Sequence, residues 1–160
     1  MQDTTGILEN TGPTDVAAAP IAVLFEPGRS GAEALAQAAA IAEQRDAELN
    51  VVVLAPQAPL PRCCGASPAA FNCAVRDEAA AELDEAARLL GWPAPRTSFD
   101  VLVEGRDPPL PAWITQRQCD VVLLPARRRV LRAPGHPATR ALRRATQADV
   151  REVAPPRRRH

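Results

Sequence analysis

Three cysteines and one histidine are the side chains that first suggest metal or redox chemistry in this sequence. Cys63, Cys64 and Cys73 follow the second apolar segment of the chain, and His136 follows the fourth. Three thiolates and an imidazole form a known zinc ligand set. However, adjacent cysteines chelate one tetrahedral ion awkwardly, and the sequence contains no Cys-x₂-Cys pair. We therefore interpret them as loop thiols, with a redox or electrophile sensor as the alternative because thiols near arginines favour the reactive thiolate.

A run of arginines at positions 127, 128, 129 and 132 is the second candidate site. Guanidinium groups bind phosphate or sulfate through charge-assisted hydrogen bonds, so one interpretation is an anion site. The other interpretation is a solvated basic loop, which is the more common fate of such a run. All 19 basic side chains of the protein are arginine. The lack of lysine excludes Schiff-base chemistry and a phosphate-binding lysine.

Charge is unevenly distributed along the 160 residues. Residues 1–116 carry seven arginines and sixteen acidic side chains, whereas residues 117–160 carry twelve arginines and three acidic side chains. The basic end has no aromatic residue after residue 116, and single-stranded nucleic acids are usually bound with aromatic stacking. We therefore expect no nucleic-acid partner, and the asymmetry is equally consistent with self-association.

Motifs of enzymes and of membrane proteins are missing from the sequence. It contains no Ser-His-Asp arrangement, no glycine-rich Walker loop and no paired catalytic carboxylates, so we expect no enzymatic activity. No apolar run approaches the ~20 residues that span a bilayer, and the N-terminus does not have the pattern of a secretory signal. We expect a cytoplasmic protein with reduced thiols and no membrane association.

Apolar segments alternate with helical patterns through most of the chain. The helical patterns have apolar residues at three- and four-residue spacing, and the alternation predicts an α/β fold with a doubly wound, five-stranded parallel sheet and helices on both faces. Residues 1–19 are predicted to be a disordered leader and residues 154–160 a flexible basic tail around one domain, 20–153. The predicted strands are 21–25, 51–54, 98–103, 119–124 and 149–153, and the predicted helices are 31–48, 76–90, 109–118 and 137–147.

The order and spacing of these segments resemble the universal stress protein family. Glu26 falls where family members have an aspartate after the first strand, and Ala34-Leu35 falls at the offset of the family's Ala-Leu pair. The segments 101–105, 120–123 and 140–145 match the third strand with its glycine, the fourth strand and the last helix of the family. The resemblance implies the sheet order 3-2-1-4-5 of the adenine nucleotide hydrolase-like fold, with ligands at the carboxyl ends of strands one and four.

The resemblance also shows where this chain departs from the ATP-binding members. Their phosphate loop has three glycines, and the positions of the first two are occupied here by Pro125 and Arg128, while Gly135 and His136 take the third glycine and the following serine. Glycine allows backbone N–H groups to approach a phosphate, and proline removes a donor. The residues that would contact a nucleotide by this resemblance are Glu26, Leu54, Arg127, Arg128, Gly135 and His136.

These observations predict a non-enzymatic binding or regulatory module that is not a conventional ATP binder and carries no obligatory cofactor. One alternative is an ATP- or AMP-binding protein whose arginines replace the phosphate-loop glycines. Another is a thiol or metal sensor that uses the loop with Cys63, Cys64 and Cys73. The family often forms homodimers through its last strand, but Arg151 and Glu152 place charges in the middle of that strand here. A homodimer or another protein partner is therefore expected to use other surfaces as well.

Overall fold

The computed structural model describes residues 18–56, 68–91, 96–126 and 137–155, with the backbone alone for 68–72 and 137. Within these residues, strands and helices alternate along the chain as the sequence predicts. The strands are β1 (Ile21–Leu24), β2 (Leu49–Ala55), β3 (Thr97–Val103), β4 (Val121–Pro125) and β5 (Asp149–Val153). The helices are α1 (Arg29–Arg45), α2 (Pro68–Leu90), α3 (Leu110–Gln116) and α4 (Pro137–Ala145).

The strands form one parallel sheet in the order β3-β2-β1-β4-β5, which confirms the predicted topology. β1 lies in the centre, where Val23 is opposite Val51 of β2 and Leu123 of β4. These strands are apolar in nearly every position because helices cover both faces of the sheet. The strand order reverses between β1 and β4, and open α/β sheets bind ligands beside the carboxyl ends of the strands at such a point.

Two hydrophobic cores hold the helices on the sheet. α1 and α2 pack on one face, and the buried residues Ala34, Leu35 and Ala38 form the α1 stripe. α3 and α4 pack on the other face, where Trp113 is 5% exposed. Trp113 is therefore a core residue, as the apolar helix around it predicts. The described helices include none that is both long and apolar enough to cross a membrane.

Helix α2 begins earlier than the sequence predicts. The prolines of residues 56–70 indicate a loop, with the helix starting at Arg76, whereas α2 starts at Pro68. Proline is tolerated in the first turn of a helix, because the N–H group that it lacks has no partner there. The prediction was wrong for this reason, and Cys73 consequently lies in the helix rather than in the preceding loop.

Helix α1 is shifted toward the N-terminus relative to its prediction, and β2 is longer than predicted. α1 ends at Arg45 because Asp46 takes a left-handed conformation with φ of 50°. That conformation stops a helix and reverses the chain. β2 can then begin at Leu49, which pairs with Ile21 and Thr97 on its two sides.

Several predictions concern residues outside the described ranges. They include Cys63, Cys64, Arg127, Arg128, Gly135 and His136, together with most of the predicted leader and tail. The interpretation of the loop thiols, with its sensor alternative, and that of the substituted phosphate loop therefore stay predictions from the sequence.

Candidate functional site

Glu26 lies immediately beyond β1, at the carboxyl end of the sheet and next to the start of α1. The chain there is held by a hydrogen bond of 2.9 Å from the Phe25 N–H to the Val52 carbonyl. Phe25 is fully buried and Glu26 is half-buried, so the chain leaves the core between these two residues. Glu26 therefore occupies the position that the sequence predicts, beside the point where the strand order reverses.

Gly31 allows the first turn of α1 to contact the backbone that follows β1. A Cβ atom at Gly31 would lie 1.7 Å from the carbonyl oxygen of Glu26. That distance is far inside van der Waals contact, so every other amino acid would displace one of the two segments. The position of Glu26 relative to α1 thus depends on a glycine in a helix that otherwise favours alanine.

Leu54 is the predicted site residue that lines a cavity. It is next to last in β2 and is 41% exposed, although the apolar run of β2 predicts a buried position for it. Its side chain points to the α3 face of the sheet, where the helix does not cover the end of β2. A cavity of about 720 Å³ is present there, at the carboxyl ends of β2 and β3, and we call it the Leu54 pocket.

The Leu54 pocket has an apolar floor and an acidic rim. Its volume lies within the roughly 300–1,000 Å³ of typical small-molecule sites. Leu54, Leu102 and Leu110 provide apolar side chains from a strand end, a neighbouring strand and the start of α3. Glu104 and Asp107 add carboxylates, and none of the described residues that line the pocket is basic. The full lining is Leu54, Ala55, Pro56, Leu102, Val103, Glu104, Gly105, Asp107, Pro108, Pro109 and Leu110.

The turn between β3 and α3 shapes one wall of this pocket. Asp107 accepts a hydrogen bond of 2.7 Å from the Val103 N–H through Oδ2, and its own N–H donates to the Val103 carbonyl at 2.9 Å. Gly105 has a φ of 74°, a conformation that glycine adopts without strain. The Glu104 N–H donates to the Ala55 carbonyl at 2.9 Å, which joins the turn to the end of β2. Hydrogen bonds within the protein thus hold this wall in place.

Negative charge surrounds Glu26 on the α2 side of the sheet. The pKa of Glu82 is raised, mainly by burial and then by repulsion from Glu78, Glu26 and Glu85. Like charges that share a site resist ionisation together. Among the described residues, this group of glutamates disfavours a bound phosphate.

The end of β4 leads directly into the substituted phosphate loop. Pro125 is buried as the last residue of β4 and pairs with Val153, so the strand extends one residue beyond its predicted end. Beside it, Thr139 of α4 donates a hydrogen bond of 2.5 Å to the Glu152 carboxylate of β5. Glu152 is thereby directed to α4. The arginines expected to bind an anion follow in residues 127–132, outside the described ranges.

The opposite, amino end of the sheet holds a polar network that the sequence analysis did not find. Arg117 donates to Asn50 Oδ1 at 2.8 Å, to Ser98 Oγ at 3.2 Å and to Asp100 Oδ2 at 2.5 Å. Its guanidinium also lies 5.2 Å from the ring centroid of Trp113. Asn50 is fully buried, and Ser98 donates to it at 2.6 Å. The side chains of this network come from three separate segments of the chain, so no local sequence motif identifies them.

The described cysteines do not gather at one site. Cys119 is buried just before β4, and burial raises its pKa to about 11. Cys73 is exposed on α2. Among the described residues no group of histidine, cysteine and carboxylate side chains could hold a metal ion. Of the predicted cluster, Cys73 alone is described, and it lies on a different element from Cys119.

Of the predicted site residues, Glu26 and Leu54 are described, and both lie at the carboxyl end. Glu26 does not line the Leu54 pocket, which instead uses Leu102, Glu104, Asp107 and Leu110. Sequence reasoning did not identify these four residues as lining a pocket. The available signal was the apolar end of the third strand followed by Glu104-Gly105 and two prolines, which mark a short turn into a helix.

Solved structures share this arrangement of strands and helices. A universal stress protein from Burkholderia pseudomallei is 16% identical with a TM-score of 0.63, and the match covers 84% of this chain and 95% of that one. The universal stress protein from Archaeoglobus fulgidus in complex with dAMP is 17% identical, with a TM-score of 0.55 and coverage of 85% and 98%. For a universal stress protein in complex with cAMP, the identity is 17% and the TM-score is 0.54, and the match covers 85% of this chain and 98% of that one.

The sequence itself matches no protein-family model and no curated protein. At these identities the structural likeness establishes the fold. The chain has the fold of the universal stress proteins, which confirms at this level the resemblance seen in its sequence.

Proposed function

We propose that this chain, with its universal stress protein fold, is a non-enzymatic binding module that holds an adenine nucleoside or nucleotide in the Leu54 pocket. The observation that carries the proposal is an open, apolar cavity of about 720 Å³ at the carboxyl end of the sheet. Two proteins of the same fold are described in complex with dAMP and with cAMP. A purine is flat and apolar on its faces, so a floor of leucines suits it.

The ligand is recognised chiefly through its base and sugar. The rim of the pocket carries the carboxylates of Glu104 and Asp107. Carboxylates accept hydrogen bonds from an exocyclic amine or a ribose hydroxyl, but they repel phosphate. Pro125 stands where an ATP-binding loop would begin with glycine. We therefore expect that phosphate groups add little affinity.

The described residues that line the Leu54 pocket suit binding better than catalysis. The Asp107 carboxylate accepts a hydrogen bond from the Val103 N–H, and this bond stabilises the turn. Glu104 is exposed at the rim, so water reaches its carboxylate. A nucleophile with an adjacent oriented base is the usual signature of group transfer, and the described lining contains neither serine, cysteine nor histidine. We propose that the module acts in the cytoplasm by changing its protein contacts when a ligand binds.

Calorimetric titration of the reduced protein with adenosine, AMP and ATP at physiological salt tests this proposal. We expect adenosine to bind, and the dissociation constants of the three ligands to agree within about threefold, since the described lining of the pocket offers a phosphate no basic side chain. Leu54→Glu should weaken adenosine binding at least tenfold, because it adds a third carboxylate to an apolar floor. Leu89→Glu is the matched control, since Leu89 is also exposed, at 53%, but lies on α2 away from the pocket.

The same titration separates the alternative in which arginines replace the phosphate-loop glycines. In that case ATP would bind more than tenfold tighter than adenosine, and changing Arg127, Arg128 and Arg129 to alanine would remove the difference. Absence of adenosine binding, or equal losses in Leu54→Glu and Leu89→Glu, would contradict the proposed pocket. Incubation with ATP should show no hydrolysis above background.

A further inference from the structure

The two edge strands of the sheet differ in how they are protected from pairing with another chain. β5 carries charges at Asp149, Arg151 and Glu152, three of its five residues. Arg151 and Asp149 form an ion pair of 2.6 Å along the strand. Charged side chains on an edge strand oppose strand addition, because pairing would bring them against a second charged strand.

β3, at the other edge, carries much less charge. It is seven residues long, and Asp100 is its single charged residue. That carboxylate is held by Arg117 at 2.5 Å, so it is neutralised from within the protein. A strand of this length spans about 23 Å, which is long enough for extended pairing. Long, weakly charged edge strands are templates for pairing with another chain.

An apolar groove accompanies the β3 edge on the α2 face of the sheet. Its volume is about 600 Å³, and most of the exposed surface in it is apolar. Leu83 and Phe99 contribute the large side chains, while Asp84 and Arg88 stand together in the lining. The complete lining is Ala80, Leu83, Asp84, Ala87, Arg88 and Phe99. The groove thus extends the edge strand into a broader surface with one acidic and one basic group.

We propose that this surface, formed by the β3 edge and the adjacent flank of α2, is the interface with a second copy of the same chain. A two-fold axis perpendicular to the sheet would place β3 antiparallel to the partner's β3 and join the sheets into one. It would also place the two α2 helices side by side and antiparallel on the same face. In such an isologous contact, each residue meets the symmetry-related residue of the partner.

Charge complementarity identifies the occupant as a second copy. Asp84 and Arg88 are one helical turn apart on the flank of α2 that faces the groove. When the two-fold axis lies level with residue 86, midway between them, Asp84 of one copy approaches Arg88 of the other, and the reverse contact follows by symmetry. The same surface therefore supplies the acidic and the basic side chain of both ion pairs. A different partner protein would need its own basic and acidic side chains at the matching spacing.

Sedimentation velocity over a range of protein concentrations, combined with charge reversal, tests the interface. Asp84→Arg and Arg88→Asp should each weaken self-association by about tenfold or more, since two attractive contacts become repulsive. An equimolar mixture of the two variants should associate again, because the two reversed side chains then meet each other, the two unreversed ones do the same, and both contacts are attractive. The double variant D84R/R88D should dimerise like the original protein. Glu43→Arg, an equal change of charge at an exposed position of α1, is the control.

Recovery in the mixture shows that the single variants are folded, so a folding defect does not imitate the result. Hydrogen exchange should also show that the backbone amides of β3 become more protected as the dimer forms, while those of β5 do not. A protein that stays monomeric at high micromolar concentration would overturn the proposal. So would a dimer that is insensitive to Asp84→Arg, or one in which protection appears on β5.

Discussion

At the amino end of the sheet, side chains from separate elements are joined to one another, whereas at the carboxyl end the described side chains surround a cavity. Arg117, Asn50, Ser98 and Asp100 connect α3 with β2 and β3 at the amino end. The Leu54 pocket lies at the other end of the same two strands. Polar side chains that satisfy each other stabilise the fold, while an apolar surface left uncovered is available to a ligand. The difference indicates that stability and binding are separated along the strands.

The largest effect on stability is expected at Gly31, the residue that positions the carboxyl end. Gly31→Val should lower the free energy of unfolding by about 3 kcal/mol or more, because its Cβ would overlap the Glu26 carbonyl and force the backbone apart. Urea denaturation measures this loss. Ala40→Val, an exposed position of the same helix, should cost less than about 1 kcal/mol. Similar losses in the two variants would mean that the close approach does not constrain the protein.

The amino-end network should contribute to stability without affecting binding. Arg117→Ala removes the ion pair with Asp100 and the hydrogen bond to Asn50, and leaves a fully buried amide oxygen with fewer donors. We expect a loss of about 2 kcal/mol in the free energy of unfolding. Adenosine affinity should stay within twofold of the original protein.

Arg96→Ala is the matched control for that variant. Arg96 forms an ion pair of 2.7 Å with Asp46, but the two side chains are 62% and 88% exposed. Such a surface pair contributes at most about 1 kcal/mol. A loss for Arg96→Ala as large as that for Arg117→Ala would contradict the distinction between a network and a solvated pair.

The sequence predicted the sheet more completely than either of its ends. Parallel strands covered on both faces are apolar throughout, so β1, β2 and β4 stand out in the sequence as continuous apolar runs. The order of the strands came from the resemblance to a family with the same spacing. The start of α2 was missed because proline is common both in loops and in the first turn of a helix, so Pro68 does not distinguish the two.

The sites depend on which residues become neighbours, and this information is not local in the sequence. Leu54 was predicted from its place at the end of a strand, but Leu102 and Leu110 join it only because β3 lies beside β2. The same holds at the amino end, where Asn50 and Arg117 are 67 positions apart. Periodicity shows which residues are buried, and it does not show which of them meet.

A smaller, pH-dependent effect is expected from Cys119, the buried thiol at the amino end. Burial raises its pKa from 9.0 to about 11 in the folded protein. The unfolded chain therefore loses the proton at lower pH than the folded one does, and the stability from the neutral thiol is lost as pH rises from 9 to 11. The stability difference between the original protein and Cys119→Ala should shrink over that range in thermal unfolding.

Alkylation under native conditions gives a second measure of the same thiol. Iodoacetamide reacts with the thiolate, so the buried, neutral Cys119 should react much more slowly than the exposed Cys73. Mass spectrometry of peptides after a short exposure distinguishes the two residues. Equal alkylation rates of the two cysteines at pH 8 would show that Cys119 is accessible to solvent and would contradict its burial at the amino end of the sheet.

The smallest effect is expected at Glu82, on the acidic side of the carboxyl end. Its pKa is raised by burial and by repulsion from neighbouring glutamates, so its ionisation at neutral pH opposes folding. This destabilisation is absent below about pH 4.5, the pKa of Glu82 in the unfolded chain. It grows as the pH rises through the higher pKa of Glu82 in the folded protein. Glu82→Gln should raise the free energy of unfolding at pH 7 by at most about 0.5 kcal/mol after solvent screening. The gain should vanish below pH 4.

Amide chemical-shift mapping during a titration with adenosine tests the proposed division between the two ends most directly. The account predicts that the shifts concentrate at the ends of β2 and β3 and in the turn into α3, around Leu54, Leu102 and Asp107. The amides of Asn50, Ser98 and Arg117 at the amino end should remain unchanged. Shifts centred on the amino end, or no shifts at millimolar adenosine, would contradict the assignment of the Leu54 pocket as the binding site.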